Sequence, residues 1–304
     1  MLASLLPAAV VAVEAFEDDP AAVLFPEESA LLAKAVDKRR REFTTARVCA
    51  HRALRTLGLP PAPILPGPRG APSWPDGVVG SITHCAGYRA AAVARASELC
   101  TIGIDAEPNE PNPQGVTQEI TVAAERGWLA AHLAARPAVR WDRLLFSAKE
   151  SVYKAWFPLA QRWLGFEDAE LVIDLGTAPT GPAPTPPGWA SVAPGSALPV
   201  SPIPPRPLRQ CDSSVTGPGL AAGASWPAAG QPASAGPSLP SPGLPAPAPL
   251  RARGTFAARL LVDGPILDGR RLTGFGGHWL AEGGLLVTAV TVPHLDGMPM
   301  PSRP

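Results

Sequence analysis

Between Gly176 and Gly254 the chain carries about half of its 40 prolines, in strings such as "TAPTGPAPTPPGW", "PIPPRP" and "PSLPSPGLPAPAPL". Proline fixes φ and has no backbone N–H, so this stretch can neither continue a helix nor enter the middle of a sheet. The remainder is mostly Ala, Ser and Gly with a single acid, Asp212, and shows no helical or strand periodicity. Such composition cannot bury enough apolar surface to offset the entropy lost on ordering. Residues 177–253 are therefore expected to be a disordered, partly polyproline insertion. The string "PIPPRP" also fits a Pro-recognition ligand, although such strings are common in biased sequence.

The flanks indicate what is interrupted. "EDAELVIDL" and "GTFAARLLVDG" alternate well enough to be the two strands of one hairpin. Closing a longer loop costs only about 0.6 kcal/mol per doubling of its length, so the hairpin can survive the insertion.

Outside this segment the 304 residues suit one large or two modest domains, and 46% apolar residues suffice for a core. Twenty-six basic residues balance 26 acidic ones, so nothing global points to nucleic acid or a membrane, and any phosphate binding must be local. Cys49, Cys85, Cys100 and Cys211 show neither CxxC spacing nor a His/Cys metal pattern, which fits a reducing, cytoplasmic setting. "MLASLLPAAVVAVEAF" imitates the apolar part of a signal peptide. It has no basic flank, since Glu14, Glu17, Asp18 and Asp19 precede the first lysine, Lys34, so a buried first strand is expected. No apolar run reaches the roughly 18 residues of a membrane span.

"ESALLAKAVDKRRREFTTARVCAHRALRTLG" reads as a long helical stretch, with a break expected near Thr44 and Thr45. Strands follow around "GVVGSITHC", "YRAAAVARA" and "CTIGIDAE", helices at "TVAAERGWLAAHLAA" and "WDRLLFSAKESVYKAWFPLA", and strands around "ELVIDL", "TFAARLLV", "FGGHWLAEGG" and "LLVTAVTV". Helices and strands mix without a βαβ repeat, which gives an α+β class.

Several residues stand out chemically. Asp105 and Glu107 lie two apart on a strand end, so both side chains leave one face. Two adjacent carboxylates are either solvated acids or ligands of a hard cation such as Mg²⁺. On the helix "FSAKESVYKAW", Lys154 lies one turn beyond Glu150 while Lys149 points about 100° away. Glu150 and Lys154 are then a surface ion pair or two groups that address one ligand, and Phe146, Val152, Tyr153 and Trp156 are packing. Ser81, Thr83 and His84 in "GSITHC" suit phosphate oxygens, although a lone histidine is commonly structural. Arg47, His51 and Arg55 recur every four residues, as a wet helix face or as a polyanion site.

Together, "GSITHCAGY", "GIDAE" and "FSAKESVYKAW" stand in an order and spacing that resemble the 4′-phosphopantetheinyl transferases. The likeness is to the compact single-chain type that serves carrier domains of nonribosomal peptide, polyketide and siderophore assembly. Phe146, Ser147, Lys149, Glu150, Ser151 and Lys154 meet every specified position of that family's helix motif. The resemblance covers most of residues 1–176 and 254–293.

The resemblance implies two similar α+β lobes in pseudo-twofold arrangement, residues 1–100 binding coenzyme A and residues 101–304 bearing the Mg²⁺ motifs. It implies Mg²⁺ on Asp105, Glu107 and Glu150, with Glu150, Lys154 and His84 as the catalytic groups. Arg47, Arg55, Arg69, Thr83, His84, Lys149 and Lys154 are the implied contacts to coenzyme A. The implied reaction moves the phosphopantetheine arm of coenzyme A to a serine of an apo carrier protein and releases adenosine 3′,5′-bisphosphate. A monomer with no nucleic-acid or membrane partner is expected. A Mg²⁺-dependent phosphohydrolase acting on a coenzyme A-like nucleotide would use the same acids and bases but needs no carrier. A scaffold that merely displays the insertion would be indifferent to Glu150→Ala.

Because the insertion follows every motif, a chain with the loop shortened is expected to retain activity. Complete loss of activity in a folded, shortened chain would overturn that expectation.

Overall fold

The computed structural model describes residues 1–175 and 250–294, so the expected insertion lies outside the described residues except for its last positions. Those positions correct its boundary. Arg251, Ala252 and Arg253 already belong to a strand, paired with Glu282, Ala281 and Leu280.

Two antiparallel sheets are each backed by one 20-residue helix, the α+β arrangement that the mixed pattern predicts. The first sheet joins β1 (Val11–Ala15), β2 (Val78–Cys85) and β3 (Tyr88–Arg95) in the order β1-β3-β2. Its helix, α2 (Asp37–Thr56), buries Cys49, Ala50, Ala53 and Leu54 against Ala91 and Val93. Small residues on both surfaces let the helix approach the sheet closely.

The second sheet runs β4-β10-β9-β6-β5. Its strands are β4 (Leu99–Pro108), β5 (Ala169–Leu175), β6 (Arg251–Leu260), β9 (Gly274–Glu282) and β10 (Leu285–Pro293). A two-residue pair, β7 (Ile266–Leu267) and β8 (Arg270–Arg271), forms a small hairpin beside it. Strands β5 and β6 pair antiparallel from Ala169↔Leu260 to Leu175↔Gly254, as the flanks of the proline-rich segment suggest. Helix α5 (Trp141–Ala160) covers this sheet with Trp141, Leu144, Leu145, Val152 and Trp156, all fully buried. Two shorter helices, α3 (Val116–Ile120) and α4 (Ala123–Ala135), pack at its side. Among the described residues no helix is long and apolar enough to cross a membrane.

The beginning of the chain departs from expectation twice. Instead of one buried strand, a 3-10 turn at Leu2–Leu5 buries its two leucines, and half-buried β1 follows at the sheet edge. Glu14 ties the two together by accepting hydrogen bonds from Leu2 N (2.9 Å) and the Tyr88 hydroxyl (2.6 Å). The long helix breaks at residues 31–36, between α1 (Pro26–Ala30) and α2, and not at Thr44 and Thr45. Glu28 of α1 is fully buried, where it receives Ile64 N (2.8 Å) and meets His51 Nε2 (2.9 Å). Turning that carboxylate inward forces the chain to bend, while Thr45 spends its hydroxyl on Asp18 (2.7 Å) and leaves the helix intact.

Strand β4 lies at the seam between the sheets. It is the edge of the second sheet, and the side of it facing β2 meets hydroxyls in place of a backbone ladder. Ile104 N donates to Ser81 Oγ (3.1 Å) and Ala106 N to Thr83 Oγ1 (3.0 Å). These bonds satisfy donors that an uncovered edge would leave unpaired. On its face β4 meets α5 at Gly103, where a Cβ would stand 2.0 Å from Ser151 O and 2.7 Å from Ala155 N. Both obstacles are backbone and cannot rotate away. Gly103→Ala is expected to push α5 off β4 and to lower stability by about 2–3 kcal/mol, measured by urea denaturation. An unchanged midpoint would show that the contact is looser than described.

Candidate functional site

A cleft of about 830 Å³ opens between the two halves. Its walls come from α2, the loop 67–74, β2, the C-terminal end of β4, the loop 108–113 and the middle of α5. Asp105, Glu107 and Glu150 all line it, as do Thr83, His84, Arg47, Arg69 and Lys154.

The close α5–β4 contact builds the acidic wall. One turn of helix beyond Glu150, Lys154 Nζ reaches Asp105 Oδ1 at 2.7 Å and Ile104 O at 3.1 Å. Lys154 therefore bridges to the strand, and the alternative of a surface Glu150–Lys154 pair gives way to a buried link between the two motifs. Thr83 Oγ1 donates to the same Asp105 oxygen at 3.3 Å. The second oxygen, Oδ2, is buried and has no partner. Arg143 Nη1 holds Glu107 Oε2 at 3.2 Å.

These carboxylates crowd one another in a poorly solvated place. Burial, then the neighbouring Asp105, pushes Glu107 up to about 8 against the opposing pull of Arg143. Burial and Asp105 likewise push Glu150 up to about 7, with Lys154 opposing. Lys154 is raised as well: burial would lower it, but Asp105 and Glu150 outweigh burial and keep it charged. Raised carboxyls and an unpartnered buried oxygen describe a site short of positive charge. Three hard oxygen donors of this kind fit a divalent cation such as Mg²⁺.

The opposite wall is basic. Arg47 is buried, donates Nε to Ile64 O (2.9 Å) and stacks its guanidinium 4.3 Å above the Phe43 ring. Burial lowers it to about 10, still charged at neutral pH. Arg69 sits in the loop at φ 55° and covers the Trp163 ring at 5.4 Å. His84 Nε2 meets Arg39 Nη1 at 3.0 Å, and Nδ1 lies 3.8 Å from Glu42. Burial first, then Arg39 and Lys154, lowers His84 to about 3, so it is neutral and presents a polar ring without charge.

Two expected ligand contacts do not face the cleft. Lys149 is buried within the second half, donating to Ile120 O (2.7 Å), Phe166 O (2.8 Å) and Ala169 O (3.0 Å), with Glu125 at 2.9 Å. It knots α3, α5 and β5 together, and the 100° that separates it from Glu150 is the reason. Arg55 lies exposed in the last turn of α2 and is absent from the lining. A four-residue step overshoots one helical turn by about 40°, so two steps carry Arg55 about 80° around from Arg47 and about 12 Å along the axis. His51, in the same series, is taken by Glu28. Thr83 lines the cleft, yet its hydroxyl is engaged with Asp105 and Ala106 N and so positions the carboxylate.

Sequence reasoning did not single out Lys38, Arg39, Glu42 or Arg143 and read Tyr153 as packing; all five line the cleft. Lys38, Arg39 and Glu42 precede Arg47 on α2 by nine, eight and five residues, a signal diluted by six charged residues in a row, Asp37 to Glu42. Arg143 stands two turns before Glu150 on α5, where spacing alone cannot reveal that it meets β4. The Tyr153 hydroxyl is buried in the wall without a partner.

Comparison with known proteins agrees with the geometry. Residues 27–94 match the model of the 4′-phosphopantetheinyl transferase N-terminal domain, and residues 101–190 match that of the 4′-phosphopantetheinyl transferase superfamily. The chain is 45% identical to 4′-phosphopantetheinyl transferase Svp of Streptomyces mobaraensis, over 96% of this chain and 89% of that protein. It is 38% identical to 4′-phosphopantetheinyl transferase PptT of Mycobacterium tuberculosis, over 96% and 98% respectively. A shorter likeness, 39% identity over 39% of this chain and 49% of the relative, links it to enterobactin synthase component D of Salmonella typhimurium.

The buried Lys149 gives a clean test of structural against ligand-facing roles. Lys149→Met leaves Glu125 uncompensated and is expected to cost about 3–5 kcal/mol, read from the denaturation midpoint. Ligand affinity per folded molecule should stay within about twofold, a change worth under ~0.5 kcal/mol; a tenfold loss in affinity with normal stability would reverse the assignment.

Proposed function

The chain belongs to the 4′-phosphopantetheinyl transferase family, and we propose that its cleft holds coenzyme A between residues 1–100 and the half beginning at residue 101. The protein transfers the phosphopantetheine arm of coenzyme A to a serine of an apo carrier protein. The observation that carries the site assignment is the meeting of two distant motifs, β4 and α5, around Asp105, whose second oxygen is buried and unpartnered.

Asp105, Glu107 and Glu150 would hold Mg²⁺. When bound, the ion neutralises pyrophosphate charge and stabilises the charge that builds on the transferred phosphoryl group. Lys154, fixed by Asp105 and Ile104, faces the pyrophosphate, and Arg39 and neutral His84 face its other side. Arg47 and Arg69 hold the nucleotide end, with Trp163 as the surface on which Arg69 rests. The serine Oγ attacks the β-phosphorus, its proton passes to Glu150, and the β-phosphorus-to-oxygen bond to the leaving adenosine 3′,5′-bisphosphate breaks.

The named relatives are transferases, so the hydrolase alternative is not carried further. Carrier proteins of nonribosomal peptide, polyketide or siderophore assembly are the proposed acceptors, a reading supported by the likeness to enterobactin synthase component D. The chain is proposed to act as a monomer in the cytoplasm, which the reduced state of Cys49, Cys85 and Cys100, none of them in a disulfide among the described residues, suits.

Incubation with coenzyme A, Mg²⁺ and apo acyl, peptidyl or aryl carrier domains should add one phosphopantetheine arm by mass. Glu150→Gln and Asp105→Asn are expected to slow the addition by roughly a hundredfold or more, and chelation of Mg²⁺ should stop it. No addition to any carrier class, or full activity in both variants, would refute the assignment.

A further inference from the structure

At the opposite end of β4 from the acidic wall, three side chains from separate segments converge. Cys100 is the second residue of the strand, Asp268 sits in the β7–β8 turn at φ 49°, and His294 follows the irregular end of β10. Cys100 Sγ lies 3.2 Å from His294 Nδ1, Asp268 Oδ2 lies 4.0 Å from the same nitrogen, and the three donor atoms all fall within 4.8 Å of one another. The five residues from Cys100 to Asp105 span roughly 17 Å of strand, so this cluster stands well away from the acidic wall.

The histidine is oriented. His294 Nε2 is 2.7 Å from Ala96 O, a carbonyl that can only accept, so Nε2 carries the proton and the lone pair of Nδ1 points at Cys100 and Asp268. A backbone carbonyl on the far nitrogen is the arrangement that sets the tautomer of a metal-bound imidazole. Bonds of about 2.0–2.3 Å in a tetrahedron place neighbouring donors about 3.3–3.6 Å apart, and the observed separations bracket that value.

We propose that Cys100, Asp268 and His294 form a binding site for a thiolate-preferring divalent cation of the Zn²⁺ class, with water as the fourth ligand. A thiolate and an imidazole exclude Mg²⁺ and Ca²⁺ as the natural occupant. On binding, the thiol loses its proton to solvent as the sulfur–metal bond forms. The ion joins the start of β4, the β7–β8 hairpin and the end of β10, and through Ala96 it also reaches the turn after β3. Its role is to clamp the second sheet at the seam, not to take part in transfer.

Co²⁺ added to the metal-free full chain is the probe. One equivalent is expected to give a near-ultraviolet thiolate-to-cobalt band and tetrahedral visible bands, displaced by Zn²⁺ and untouched by excess Mg²⁺. The band should vanish in Cys100→Ser and His294→Ala and persist in Cys85→Ser, whose thiol borders the catalytic cleft. Zn²⁺ should raise the thermal midpoint of the unaltered chain by several degrees and leave that of His294→Ala unmoved. All these variants should keep the transfer activity of the unaltered chain at saturating Mg²⁺, except Cys85→Ser, for which only the band is read. Absence of a thiolate band, or a band that survives in Cys100→Ser, overturns the proposal.

Discussion

The approach of α5 to β4 at Gly103 is the constraint from which the rest of the site follows. A side chain at this position would run into Ser151 O and Ala155 N, so only glycine lets the helix lie flat on the strand. That closeness lets Lys154 reach Asp105 and brings Glu150 to the same wall as Glu107. The motif "GIDAE" thus contains both the acids and the missing Cβ that allows the second motif to meet them. On the other side, Ser81 and Thr83 cap the strand's edge and hold the first sheet in register with it. The cleft is therefore anchored to backbone on both of its walls.

A protein of zero net charge concentrates charge locally by sorting its lysines and arginines. Lys149 and Lys154 lie on one helix, yet the first is consumed by three carbonyls and Glu125 while the second bridges to Asp105. Arg47 and Arg55 are similarly divided, one roofing the cleft and one facing solvent. The carboxylates left behind, raised by burial and by each other, represent electrostatic strain that a cation would relieve. Such a design would hold a highly anionic ligand without giving the surface a basic field that attracts other polyanions.

Much of the architecture was legible along the chain. Helix α5 has the bounds of "WDRLLFSAKESVYKAWFPLA", and the pairing of "ELVIDL" with the strand after the proline-rich segment was readable from alternation. That Asp105 shares a strand face with Glu107, and Glu150 a helix face with Lys154, was legible because each spacing is local. The failures share a cause. Lys149 and Arg55 were drawn to the ligand by their charge and motif, but helix rotation sends each elsewhere. The helix break at residues 31–36 depends on Glu28 finding His51 and Ile64, a contact no window along the chain contains.

The sequence by itself determined the elements, the family likeness and the acids that share a strand face, because periods of two and 3.6 are written in neighbouring residues. Only the tertiary structure decided which cations meet which acids, since that depends on a helix crossing a strand some 40 residues away. The same holds for Cys100, Asp268 and His294. No Cys/His spacing announced them, for Cys100 and His294 stand 194 residues apart and meet only because β10 lies alongside β4.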